Sequence, residues 1–203
     1  ARSPLQKATL MIGGSAVPVS LTSWSNRQAA LAHVLSRLKR LPSAELQSTI
    51  GEIETALQAD APSREDLPPR MRPLNWDQAR EMQSTGLIEF GGHTHRHPIM
   101  AHCSPEELKS EIETCRRRLK EELGRQPHLF AYPNGGEEDF DADCEELLRK
   151  AGFVASFSTR PAPAELMSLP RFGSPESVIE AEATVSGAFT MASRIKKHLR
   201  GKK

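Results

Sequence analysis

At 203 residues the chain is long enough for one sizeable domain with a buried core. Hydrophobic residues make up 37% and charged residues 26%, ordinary proportions for a globular protein, and 27 Lys+Arg against 26 Asp+Glu leave a net charge of +1. That balance does not point to nucleic acid or a membrane as the partner, and no apolar run is long enough to cross a bilayer.

Residues 8–22, ATLMIGGSAVPVSLT, hold two apolar runs about Gly13-Gly14 and predict strand–turn–strand or strand–loop. Residues 26–41 carry Ala30, Leu31, Val34, Leu35 and Leu38 at helical spacing, and a second helical stretch opens at Ser43 as N-cap with Glu45 in its first turn. Together they predict a helical hairpin inserted over 26–60, its apolar stripes serving core or lid packing. The proline-rich stretch 61–73 reads as loop. A short helix about Trp76–Met82 and a turn at Gly86 lead into a strand that runs to His93. Ser104-Pro105-Glu106-Glu107 is a capping box with proline at the first helical position, and it launches a long amphipathic helix that stops at Gly124. A strand at His128–Tyr132 follows, then a turn at Pro133-Asn134-Gly135-Gly136. A helix near Asp143–Ala151, closed by Gly152, leads to a strand at Phe153–Ser158. This alternation predicts a single α/β domain over 1–203 with a largely parallel sheet.

The chain ends in a basic tail over 190–203, where Arg194, Lys196, Lys197, Arg200, Lys202 and Lys203 suit the C-terminus of a solvated helix. Cys103, Cys115 and Cys144 are odd in number and show no CxxC spacing, so neither a disulfide framework nor a zinc knuckle is expected. Unpaired thiols and the absence of a signal peptide favour the cytoplasm. The opening residue, Ala1 rather than Met, leaves an extracytoplasmic protein trimmed at its N-terminus as the other expectation.

The most informative stretch is Leu87–Met100, LIEFGGHTHRHPIM, which gathers His93, His95 and His97 behind two glycines. Imidazole is the commonest metal ligand among side chains. In a helical turn His93 and His97 are i, i+4 neighbours with Cβ atoms roughly 5–6 Å apart. Both then reach one ion at about 2.0–2.1 Å per Zn–N bond, and His95 points away. In an extended segment all three alternate onto one face. The strand break expected at Gly91-Gly92 and the exit at Pro98 favour the turn. A third ligand is not identified: Glu89 lies about 13 Å back along a strand, and Asp139, Asp141 and Asp143 approach only if the fold brings them.

From Pro73 to Phe172 the chain resembles the polysaccharide deacetylases, carbohydrate esterase family four. His93-Thr94-His95-Arg96-His97-Pro98 is similar to the HTxxHP metal motif, Phe130-Ala131-Tyr132-Pro133-Asn134-Gly135 to the groove motif in its FAYPxG form, and Leu169-Pro170-Arg171 to a Leu-Pro-Arg element of one branch. The resemblance implies an irregular or incomplete (β/α) barrel and a divalent metal, most often zinc, held by two histidines and an aspartate. His93 and His97 would be the histidine ligands. Water activated at the metal would attack the acetamido carbon of an N-acetylated sugar. A backbone N–H near Asn134 would help hold the oxyanion, and Tyr132, Pro133 and Gly135 would contact the sugar. Arg171 would orient a catalytic carboxylate.

The sequence departs from the family at its first motif, since no Thr-Phe-Asp-Asp-Gly type segment occurs; its place would be upstream of Val17–Thr22. No Leu-x-x-His element is found either. The implied activity is hydrolysis of acetyl groups from N-acetylated sugars of a polysaccharide. The alternative is a degenerate, non-catalytic glycan-binding module. A third reading, a different metallohydrolase using His93, His95 and His97 together, leaves the FAYPNG and LPR elements without a role. No Ser/His/Asp triad is evident, and Gly13-Gly14 lacks the lysine of a P-loop.

Overall fold

The structure, a computed structural model, describes residues 3–59, 62–160, 165–173 and 175–187. The basic tail at 190–203 lies outside the described residues.

Strands β1 (Lys7–Ile12) and β2 (Ser15–Ser20) form an antiparallel hairpin with Leu10 opposite Val17. Its two-residue turn holds Gly13 at φ 57° and Gly14 at φ 73°, the positive values that a tight turn matching the strand twist demands. Pro18, opposite Thr9, is tolerated because a two-stranded sheet leaves every strand with a free edge. Leu10, Ile12, Val17, Val19 and Leu21 close a buried cluster with Ile53.

Helices α1 (Trp24–Leu38) and α2 (Ser43–Ala56) occur where the periodicity placed them, but their main contacts are with the strands. Helix α2 lies on β1 and α1 on β2, and both helices lend side chains to the cluster beneath the hairpin. Ser43 proves to be the first helical residue: Pro42 takes the cap position without a side-chain bond, whereas Ser23 caps α1 by accepting from the Asn26 N–H at 3.1 Å.

The second layer begins with α3 (Trp76–Ser84), started by a capping box between Asn75 and Gln78. Helix α4 (Pro105–Leu123) starts at the predicted Ser104–Glu107 box and ends at Gly124, whose φ of 73° only glycine adopts freely. Then come β3 (Leu129–Ala131), α5 (Ala142–Lys150), β4 (Ala155–Ser158), β5 (Leu169–Pro170) and α6 (Val178–Val185). Strands β3, β4 and β5 form a parallel sheet in that order. Its core is Phe130, Tyr132, Phe140, Leu148 and Phe153 with Leu108 and Ile112 of α4. Tyr132 and Phe140 stack with ring centroids 3.6 Å apart.

Two expectations are corrected here. Among the described residues the sheet is open, and no closed barrel is formed. Closure needs both edges paired, yet β5 has two residues and the opposite edge is met by a single bridge, Gly92 to Phe130. Residues 87–91 are therefore not a strand. Nor do the glycines serve to break one. The Gly92 N–H donates to Leu129 O at 2.8 Å and its carbonyl accepts from the Ala131 N–H at 2.8 Å, so the segment lies directly against β3. A Cβ on Gly91 would sit 2.7 Å from Leu129 O, and one on Gly92 2.7 Å from the Phe130 ring.

Gly91→Ala is expected to destabilise the fold by about 1–3 kcal/mol, since a carbonyl of β3 cannot swing aside as a side chain could. A thermal melt indistinguishable from the parent would refute the close approach.

At the start of α5, Asp141 accepts from the Cys144 N–H at 2.9 Å, and that bond holds its carboxyl below the ordinary carboxylate range. Asp141→Ala should cost about 1 kcal/mol near neutral pH. A depressed folded value contributes stability above the unfolded value, and that contribution is lost as pH falls through the folded one. The gap between parent and variant in denaturant midpoint should therefore narrow below about pH 4; a gap constant down to pH 2 would contradict the cap.

Candidate functional site

The site is assembled by the loop that follows Gly92. His93 and His97 face one another with ring centroids 4.7 Å apart and planes at 76°. Neither of the two predicted geometries produces this pair. Thr94 and His97 have φ values of 60° and 62°, so the segment is neither a helical turn nor extended. Positive φ at a β-branched residue costs about 1–3 kcal/mol and persists only where surrounding bonds over-determine it. Here the Thr94 hydroxyl donates to His93 O at 2.6 Å and accepts from the His97 N–H at 3.0 Å. The N–H groups of His95 and Arg96 both donate to one carboxylate oxygen of Glu111, at 2.8 and 2.7 Å.

His93 is also tied to the sheet, because its Nδ1 lies 2.6 Å from Ala131 O. A carbonyl can only accept, so Nδ1 carries the proton and Nε2 keeps its lone pair. Burial lowers the His93 pKa, and the nearby His97 and Arg171 lower it further against the opposing bond to Ala131. A neutral imidazole with a free Nε2 is the form that binds a metal ion. The donor chemistry thus fits a divalent cation as far as two ligands. A catalytic zinc centre takes three from the protein, and among the described residues no group of three His, Cys, Asp or Glu could hold a metal.

His95 stands apart from the pair. It is exposed and lines a cleft of ≈ 360 Å³ with Gln47 of α2 and Glu107, Ser110 and Glu111 of α4. Three histidines converging on one ion is not what the fold builds. Asp139 and Asp141 are engaged locally, accepting from the N–H groups of Gly136 and Cys144, while Asp143 lies in the first turn of α5.

The turn after β3 brings the second motif alongside. Asn134 and Gly135 have φ values of 56° and 86°. A Cβ on Gly135 would lie 3.2 Å from both the Thr159 nitrogen and Arg171 Nη2. Arg171 follows β5, and its Nη2 donates to the carbonyls of Tyr132 and Asn134, each at 2.8 Å. Those two bonds make Arg171 a staple for the turn, where sequence reasoning had it orienting a carboxylate.

Tyr132 and Pro133, expected to contact sugar, are fully buried. The Tyr132 hydroxyl donates to Met167 O at 2.8 Å and accepts from Ser156 Oγ at 2.9 Å, and burial raises its pKa. The aromatic residue of this motif supports the turn from beneath. Glu111 was missed in the sequence, although a signal existed. It falls in the inward-facing row of α4 with Leu108, Ile112 and Cys115, where a charged residue is out of place without a partner.

Residues 58–156 match the family model for polysaccharide deacetylase. Over that stretch the chain is similar to the polysaccharide deacetylases. Among solved structures it is similar to a deacetylase, PplD, from Streptococcus pyogenes, in complex with acetate, with 23% identity over 51% of this chain and 46% of that one, at a TM-score of 0.46. It is also similar to IcaB from Ammonifex degensii, with 28% identity over 54% of this chain and 52% of that one, at a TM-score of 0.43. A third likeness is to a de-N-acetylase from Aggregatibacter actinomycetemcomitans, at 18% identity, 61% and 63% coverage and a TM-score of 0.44. The chain spans 46% to 63% of the length of these structures. No curated relative matches it.

Tyr132→Phe removes one buried hydroxyl and leaves the single proton of Ser156 Oγ free to turn to Met167 O. The expected loss is about 0.5–1.5 kcal/mol in chemical denaturation. An unchanged midpoint would show that the hydroxyl carries no part of the support.

Proposed function

We propose that the chain is a metal-dependent polysaccharide deacetylase domain in which His93 and His97 are the two histidine ligands of a divalent cation, zinc by preference. The facing imidazoles carry this reading: their spacing, the proton fixed on His93 Nδ1 and the lowered His93 pKa all suit neutral nitrogen donors. A bound divalent cation supplies Lewis-acid polarisation and a water of lowered pKa. The substrate class is a polymer of N-acetylated sugars. The Asn134 main-chain N–H, on the turn stapled by Arg171, would donate to the oxygen that gains negative charge at the acetamido group. Arg171 serves this donor by fixing the carbonyls on either side of Pro133. Gly135 allows the turn its shape and its close approach to Thr159 and Arg171, where a side chain would not fit.

The test is acetate release from an N-acetylglucosamine oligomer by the full-length protein with added zinc or cobalt. Release should fall to background with His93→Ala and with a chelator. No release from the parent under any metal would overturn the enzymatic reading.

One observation favours a second reading, a glycan-binding module without catalysis: the described residues offer two metal ligands and no third. In that case calorimetry shows oligosaccharide binding that is equal with and without EDTA. Binding abolished by EDTA would exclude it. Metal stabilises a fold in proportion to its affinity, so two ligands predict only a small zinc-induced rise in melting temperature. A large rise at micromolar zinc would reveal a further protein ligand.

A further inference from the structure

The amides of His95, Arg96 and His97 are held by side chains and not by secondary structure, two of them by Glu111 and one by Thr94. We propose that Glu111 is the positioning residue of the histidine pair, keeping the rings of His93 and His97 together by gripping the loop between them. The proposal rests on reading that pair as metal ligands.

Three observations lead to it. A single carboxylate oxygen accepts two consecutive N–H groups at 2.8 and 2.7 Å, so successive amides converge on one anion as in a backbone nest, and charge-assisted bonds of this length are strong ones. Glu111 is fixed in space by the helix that carries it, since its neighbours Leu108, Ile112 and Cys115 are buried and the capping box anchors the helix start. The loop is also one that would not hold its shape alone. With Thr94 and His97 in the left-handed region, the extended alternative is the easier backbone, and it would carry His97 away from His93. The bond from His93 Nδ1 to Ala131 O secures the first ring to the sheet. The second ring depends on the three residues between them, and Glu111 holds two of those three.

Glu111 is half-buried and borders the ≈ 360 Å³ cleft, so glutamine or alanine can be accommodated there without overpacking. Glutamine retains an oxygen that accepts both amides, whereas alanine retains none.

The experiment compares the parent chain with Glu111→Ala, Glu111→Gln and His93→Ala. Cobalt binding is measured by calorimetry, and amide hydrogen exchange and the His93 and His97 ring signals are followed by NMR in the metal-free proteins. Glu111→Ala should weaken cobalt affinity by about 10- to 100-fold. It should also speed exchange at His95 and Arg96 and shift both ring signals, while Glu111→Gln restores most of the affinity and the protection. Parent-like cobalt affinity in Glu111→Ala, with binding lost in His93→Ala, would overturn the role of Glu111 and leave the metal reading standing. Equal losses in the alanine and glutamine variants would also overturn it, because a general effect of charge or fold is not rescued by shape. If the parent binds no cobalt, the metal reading fails, and the metal-free signals decide the positioning: shifted rings and lost protection in Glu111→Ala support it, and unchanged ones end it.

Discussion

Main-chain pairing of Gly92 with β3 is the contact on which the site rests. It sets the backbone of residue 92 against Phe130 in parallel register, so that His93 emerges beside Ala131 and can donate to its carbonyl. Every later feature of the loop follows from that start. The chain must reverse at once to avoid running along the sheet, and it does so with two residues in the left-handed region. The cost of that backbone is met by the local hydrogen bonds of the Thr94 hydroxyl and by the two that Glu111 accepts, and the latter are made only because α4 lies across the loop.

A similar division of labour holds on the other side of the site. The turn at Pro133–Gly136 is supported from below by the Tyr132–Phe140 stack and from the side by Arg171. Burial raises the Cys144 thiol, beneath the same core, to about 12, and raises Cys115 as well; such thiols stay protonated and inert near neutral pH. The motif residues on this side thus hold main chain in place. What they position is backbone, which a local sequence preference alone cannot place.

The matched stretch, 58–156, contains all but Met167 of one of the two buried clusters. The β1–β2 hairpin with Ile53 of α2 makes the other, and it precedes that stretch. The chain therefore joins a layer similar to the polysaccharide deacetylases to a β-hairpin and helices with their own core. Where α2 meets the histidine loop and α4, the two border a common cleft.

Much of this was legible in the residues. Gly13-Gly14 between alternating apolar runs specifies a hairpin, and the Ser104–Glu107 box with Gly124 bounds α4, because turn and cap signals act over a few residues through local hydrogen bonds and allowed φ values. The candidate pair His93 and His97 was legible from type and spacing, and so was the likeness to a family. The shape of their loop was not. Its left-handed residues, the grip of Glu111, the carbonyl of Ala131 facing an imidazole and the burial of Tyr132 all join positions 15 to 38 residues apart or turn a side chain toward a core. Short-range rules say which residues prefer a turn or a helix. Which distant groups then compensate a strained backbone is settled only when the helices and sheet have docked.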